Sequence, residues 1–244
     1  MHTRIILAVL LLFAAAGERA AAQGIRSYTV QKTSEIIIPD GHLSELSWTA
    51  APFTENFVIY SDGSAPVFPT KAKMIWDDEY LYIAFIMTDR DVWAKKTTWY
   101  PGDECLCLEE VAEVFIDPDG DGADYIEVEI NPLQTVMDLT LSGAYAAGGK
   151  PDYEWRLCGL KSGILIDGTL NDYSDVDTKW VCELAFPFRE MAFCAPGMQF
   201  PPVDGDAWRL NLYRYEYGRM DKAFKELSAW NQTDAKRGFH APDK

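Results

Sequence analysis

Apolar and polar residues alternate along most of the chain, at the period of two that a half-buried strand requires. Residues 70–77 place Ala72, Met74 and Trp76 on one face, and residues 80–88 place Leu81, Ile83, Phe85 and Met87 on one face. The same habit predicts strands over 111–117, 125–131, 134–141, 163–167, 179–186 and 207–217. Turn formers separate them: Asp77-Asp78-Glu79, residues 118–124, Ser142-Gly143 and Gly148-Gly149. Helical signals are short, one turn near 43–48 and another near 187–193. No linker, low-complexity tract or internal repeat interrupts the pattern. The expected fold is all-β, a single-domain two-sheet antiparallel β-sandwich, jelly-roll-like, with one or two short helices.

Residues 1–22 follow a different rule. A basic start ending at Arg4 precedes an apolar run over 5–16 and then Ala20-Ala21-Ala22. That order predicts a signal peptide cleaved after Ala22, a folded domain over 23–244, and a secreted or periplasmic location. The apolar run is shorter than the roughly 20 residues needed to cross a bilayer, so no membrane insertion is expected. In an oxidising space the five cysteines (105, 107, 158, 182 and 194) can pair, and five is odd, so one stays free or pairs between chains. Cys105 and Cys107 are expected to stand too close to bridge each other. Cys182, in step with Trp180, Leu184 and Phe186, is expected to be buried.

Charge narrows the partners. Asp and Glu number 38 against 22 Lys and Arg, a formal net charge of −16, which argues against nucleic acid and anionic membrane surfaces. Aromatic residues reach 13%, and Trp93, Trp99, Tyr100, Tyr145, Trp155, Trp230 and Phe239 fall in or beside expected loops. A flat ring stacks on the apolar face of a sugar while carboxylates and Arg bind its hydroxyls. The hairpin of 111–117 and 125–131 adds carboxylates. Its apolar sets, Ala112, Val114, Ile116 and Ile126, Val128, Ile130, share one face only if paired residue numbers have an even sum. Glu113 then opposes Glu127, Glu129 or Asn131. Like charges opposed are unfavourable, so either water screens the face or a cation covers it, and Arg214 is the expected cation. The intervening acidic loop, with Asp117, Asp119, Asp121 and Asp124, resembles the start of an EF-hand calcium loop. Its twelfth position is Val128 and strands flank it, so it is no EF-hand. Turn chemistry and a structural calcium both remain open.

Several motifs in order carry a resemblance. They are Asp40-Gly41-x-Leu43-x-Glu45-x-x-Trp48, residues 70–83 with Trp76-Asp-Asp-Glu-Tyr80, Glu113-Val-Phe-Ile-Asp-Pro-Asp-Gly-Asp121, and Tyr125-x-Glu-x-Glu-Ile-Asn131. Asp167-Gly-Thr-Leu-Asn-Asp172, Trp180-x-x-Glu183-x-x-x-Pro187, Trp208-Arg-x-Asn-x-x-Arg214, Ser228-x-Trp230 and Phe239-His-x-Pro242 complete them. Over residues 36–244 the chain resembles the family 9 carbohydrate-binding module, within the DOMON-like sandwich superfamily. The resemblance implies a secreted, non-catalytic protein that binds glycan ends or small oligosaccharides and assists polysaccharide breakdown beside glycoside hydrolases. It implies structural calcium and no required cofactor. Glu113 matches the family's cleft glutamate, Asn131 lies near its polar partner strand, and Phe239, in the segment with Trp230 and His240, matches its second aromatic. Glu129 and Trp99 complete the expected cleft. Cys107 stands where the family's first sandwiching Trp is expected, with Trp99 or Tyr100 as substitutes. The alternatives are a glycosidase acting through a carboxylate pair and a haem-binding module using Met74 or Met87. With His42 and His240 left after processing, a histidine-based catalytic or zinc site is poorly supplied.

Overall fold

The computed structural model describes residues 24–233; the expected signal peptide, Phe239 and His240 lie outside the described residues. Two sheets face each other. The smaller holds β1 (Gln31–Lys32), β3 (Thr70–Trp76), β4 (Tyr80–Thr88), β10 (Lys179–Pro187) and β9 (Lys161–Asp167), in that spatial order. The larger runs β2 (Val58–Ile59), β12 (Lys225–Ala229), β11 (Arg209–Tyr217), β5 (Val111–Asp117), β6 (Tyr125–Ile130), β7 (Val136–Leu141) and β8 (Pro151–Asp152). Every pairing is antiparallel except β1 with β3, which is parallel and departs from the expected all-antiparallel sandwich. Two short helices follow, α1 (Leu46–Ala50) and α2 (Phe188–Met191). Among the described residues no helix is long and apolar enough to cross a membrane.

The inner faces form the core that the alternation predicts. Ala72, Met74, Leu81, Ile83, Phe85, Met87, Trp180, Cys182, Leu184 and Phe186 meet Ala112, Val114, Ile116, Ile126, Val128, Ile130 and Leu212 there. Met74 and Met87 are packing residues in this layer, as their strand faces predict. Short strands escaped the sequence reading, because β1, β2, β8 and β12 offer too few residues for a period of two to register.

The outer face of the smaller sheet is also covered. Ile37, Trp48 and Ala51 pack on Ile75, Tyr82, Ala84 and Ala185. Glu183, fully buried on that face, fastens the cover: its carboxylate accepts from Trp48 Nε1 at 2.9 Å, Gly41 N at 3.1 Å and Asp40 N at 3.2 Å. Gly41 is required twice over, since its φ is +84° and a Cβ would lie 2.6 Å from Leu165 N. The widely separated Asp40-Gly41, Trp48 and Glu183 motifs are therefore one interaction. Glu183→Ala should cost about 3 kcal/mol, because two buried donors and one part-buried donor lose their acceptor. Trp48→Phe, which strands one acceptor site, should cost about 1 kcal/mol. Denaturant midpoints check both; equal effects would show that the carboxylate is not the fastener.

Candidate functional site

On the larger sheet the odd-numbered residues of β5, β6 and β11 point away from the core. Glu113 pairs with Glu129 on one side and Tyr213 on the other, while Phe115 pairs with Glu127. A second apolar layer covers them, with Trp99, Leu106, Val111, Phe115, Tyr125, Met137, Leu139, Tyr213 and Tyr215. Oxygens of Glu113, Glu127 and Glu129 lie within 4.8 Å of one another, and all three side chains are buried. Burial pushes the Glu113 carboxyl well above its ordinary 4.5, and burial, then the Glu113 charge, does the same to Glu129. With oxygens within 4.8 Å of each other and both side chains buried, the two carboxyls avoid carrying two charges when one of them keeps its proton. Lys96 is the cation that acts on Glu129. Tyr145 donates its hydroxyl to Glu127 Oε2 at 3.4 Å.

A clamp holds the covering loop. Asn131 Oδ1 accepts from the amides of Leu133 (3.0 Å) and Thr135 (2.9 Å), and its Nδ2 donates to Lys96 O (2.8 Å) and Glu109 Oε2 (3.2 Å). Glu109 in turn accepts from the Lys95 and Lys96 amides, at 2.9 and 3.0 Å. The expected ligand-binding amide thus works as a positioning group for the loop that carries Trp99. That loop also corrects an expectation: Cys105 and Cys107 are bridged. A 3-10 turn over Leu106–Leu108 sets their Cα atoms 5.1 Å apart, inside the range a disulfide spans. Cys105 Sγ stands 3.8 Å from Glu129 Oε1, so the bridge sits directly on the carboxyl pair. Cys182 and Cys194 are buried and unbridged, and Cys158 is exposed. At the rim, Trp99 and Tyr153 rings lie 5.9 Å apart, and the Arg156 guanidinium is 5.8 Å from the Trp99 ring. Tyr145 and Tyr153 are exposed there.

Arg214 is not over this face. It pairs with Ala112, so it points between the sheets, and the parity of Leu210 and Leu212 in the same strand already signals that. Its guanidinium is buried against Asp89 (2.9 Å) and Glu216, and it donates to Thr88 O (2.7 Å) and Thr70 Oγ1 (3.2 Å). Glu110 joins that cluster. Burial raises the Glu216 carboxyl to about 8, even beside Arg214. Trp230 is also on the other side: its ring joins the inter-sheet core and its Nε1 donates to Glu55 Oε2 at 3.1 Å. The structure therefore gathers Glu113, Glu129 and Trp99, places Asn131 beside them as a clamp, and separates Arg214 and Trp230. Glu127, Tyr153 and Arg156 were missed as members. Glu127 could have been found from the hairpin, since it shares the parity of Glu113; the other two lie on a stretch without strand periodicity.

In the acidic loop Asp117, Asp119 and Asp121 bring oxygens within 4.8 Å, and Asp124 does not join them. Asp117 accepts from the amides of Gly120 and Gly122, both at 3.0 Å, and Asp121 from Ala123 at 2.7 Å. These bonds close the turn without an ion. Three hard carboxylate donors also suit calcium.

A model of the carbohydrate family 9 binding domain-like family matches residues 38–199. The chain belongs to that family. The matched stretch includes Glu113, Glu127, Glu129 and Asn131 and stops short of Arg214 and Trp230. A family 9 module from Caldicellulosiruptor kristjanssonii, solved with cellotriose, is 14% identical, with 89% of this chain and 90% of that chain covered and a TM-score of 0.57. The same kind of module solved with glucose gives 14% identity, 88% and 90% coverage and 0.54. A Bacteroides uniformis structure assigned to carbohydrate binding gives 16%, 82%, 87% and 0.58. At these identities the likeness to solved structures establishes the sandwich. A search of curated proteins finds no match.

The carboxyl pair sets a pH dependence. The folded state holds its proton more tightly than the unfolded chain, so its stabilisation is full below the ordinary 4.5 and is lost as pH rises toward the folded value. Between about pH 5 and about pH 8 the wild type should lose more stability than a Glu113→Gln, Glu129→Gln double variant. Thermal melts across that range check this; parallel losses would mean that the pair ionises normally.

Proposed function

We propose that the protein is a secreted, non-catalytic carbohydrate-binding domain, and that it takes a neutral saccharide at the rim of the Glu113–Glu127–Glu129 face. One observation carries the location: a single outer face combines three carboxyls, a nearly buried Trp99 and the exposed rings of Tyr145 and Tyr153. Membership of a carbohydrate-binding family, and solved relatives holding cellotriose and glucose, support the ligand class. In this reading the exposed rings stack on the sugar's apolar face and Arg156 bonds its hydroxyls, while Glu127, itself buried, holds the Tyr145 hydroxyl in place from below. Glu113 and Glu129 form the floor beneath, under the Cys105–Cys107 bridge. Their burial keeps them from direct contact, so the glutamate that the family resemblance singles out acts here by letting the pair keep a proton, which limits the charge beneath the sugar. Assistance to glycoside hydrolases follows from the family and belongs to the same proposal.

Calorimetric titration with a panel of neutral oligosaccharides headed by cellotriose tests the site. Glu127→Gln, which weakens the hold on the Tyr145 hydroxyl, should weaken binding about threefold, and Trp99→Ala about tenfold. Unchanged affinity in both folded variants would remove the site from this face. Calcium is proposed only as a staple of the Asp117–Asp119–Asp121 turn. Chelation should then lower the melting temperature, Asp119→Asn should abolish that effect, and saccharide affinity should stay constant. A melting temperature indifferent to calcium would leave the loop as a turn closed by its own hydrogen bonds.

A further inference from the structure

A pocket of about 580 Å³ opens at an end of the sandwich, on the opposite side of the larger sheet from the carboxyl face. That volume lies within the span of small-molecule sites, about 300–1,000 Å³. Both sheets build it: Met74, Trp76 and Leu81 from the smaller, Leu210 from the larger and Trp208 just before its strand β11, with Phe188 between them. Trp76 and Trp208 each lean edge-to-face on Phe188, with centroids 6.4 and 5.8 Å away at 72° and 87°. One buried ring therefore fixes the attitude of two half-buried indoles. The remaining wall is the segment of residues 25–30, and it is fastened at Arg26 and Tyr28. Arg26 Nη1 donates to Asn56 O and Trp230 O at 2.8 and 2.6 Å, and Tyr28 Oη donates to Pro52 O at 2.6 Å while accepting from Met74 N at 3.2 Å. The walls are thus set before any ligand arrives, which lowers the ordering cost of binding.

We infer that this pocket is a second saccharide site, for a neutral pyranose seated against Trp76 and Trp208, independent of the carboxyl face. Two features choose that occupant. The walls carry two half-buried indoles, Trp76 with the Lys32 ammonium 4.7 Å from its ring and Trp208 flanked by Phe200, and their remaining exposed surface suits the apolar face of a sugar ring. The mouth carries Ser27, Thr29 and Asp204, all exposed, which offer hydroxyl and carboxylate partners to a ring rich in hydroxyls. The charged lining is balanced, Arg26 and Arg209 against Asp204 and Asp206, in a chain of net charge −16, so nothing there selects an anionic ligand over a neutral one. The choice of sugar as occupant rests on the carbohydrate-binding reading above; the location rests on the pocket itself.

The test separates the two. Cellotriose is titrated into the full chain by calorimetry, and the indole N–H signals of Trp76 and Trp208 are followed by nitrogen-15 NMR. The expected result is two sites per chain, with both indole signals moving at the occupancy of one of them. Trp208→Phe keeps an aromatic against Phe188, and Ala207→Arg narrows the exposed mouth without touching the core. Each should weaken one class of site about tenfold and leave the other unchanged, whereas Glu127→Gln and Trp99→Ala should weaken the other class instead. Binding confined to one site, weakened only in the Glu127 and Trp99 variants while the indole signals stay still, would overturn the second site and leave the first. Binding lost only in the pocket variants would overturn the carboxyl-face assignment and keep the pocket. A planar aromatic probe that moves the indole signals and is not displaced by cellotriose would overturn the saccharide assignment of the pocket.

Discussion

Each side chain of the seven-stranded sheet faces either the core or a covering loop, and the pairing of β11, β5 and β6 decides which. Glu113 stands between Tyr213 and Glu129, while Ala112 stands between Arg214 and Ile130. A slip of one residue in any of these pairings would carry carboxyls into the hydrophobic core and leucines out of it. The core therefore specifies the register, and the register forces Glu113 and Glu129 into contact under Trp99 and the Cys105–Cys107 bridge. A buried pair of acids at that distance avoids two negative charges by keeping a proton. On the opposite face the same parity sends Arg214 to Asp89 and Glu216, where three buried carboxyls and one guanidinium lock the ends of β4 and β11 together.

Two clamps then turn a plain sandwich into a layered one. Glu183 ties the N-terminal cover to the smaller sheet through Trp48 and the amides of Asp40 and Gly41. Asn131 and Glu109 tie the Trp99 loop to the larger sheet through backbone groups of Lys95 and Lys96. Both use one buried polar side chain to satisfy several amides or carbonyls of an irregular segment. Irregular chain can lie over a sheet only when its own polar groups are met in that way. The acidic and amide residues that look like ligand contacts in the sequence are therefore divided between support and binding. The exposed rings at the rim are what remains for a ligand to touch.

Much of this was legible in advance. The alternating runs predict the eight longer strands, and β4 and β5 match to the residue, because both faces of those strands bear strong and distinct patterns. The facing of Glu113 and Glu129 follows from arithmetic on the hairpin. Arg214 was misplaced although its own strand held the answer, since its parity is that of Leu210 and Leu212. The Cys105–Cys107 bridge was not legible, because it depends on a 3-10 turn that leaves no periodic trace over so few residues. Trp230 lies apart from the carboxyl face, in the lining of the pocket at the sandwich end, and its side of the sheet could not be read because a ring beyond the last strand has no register. The pocket at the sandwich end was invisible, since residues 25–30, 76, 188 and 208 meet only in the folded chain.

The central claim is that a proton-sharing carboxyl pair forms the floor of a saccharide site. Carbon-13 NMR of the Glu113 and Glu129 side-chain carboxyls, titrated with pH in the presence and absence of cellotriose, tests it most directly. The account predicts that at least one of the two keeps its proton well above the ordinary 4.5, and that both signals move when the sugar binds above them. Two carboxyls that ionise at ordinary values and ignore the sugar would contradict it.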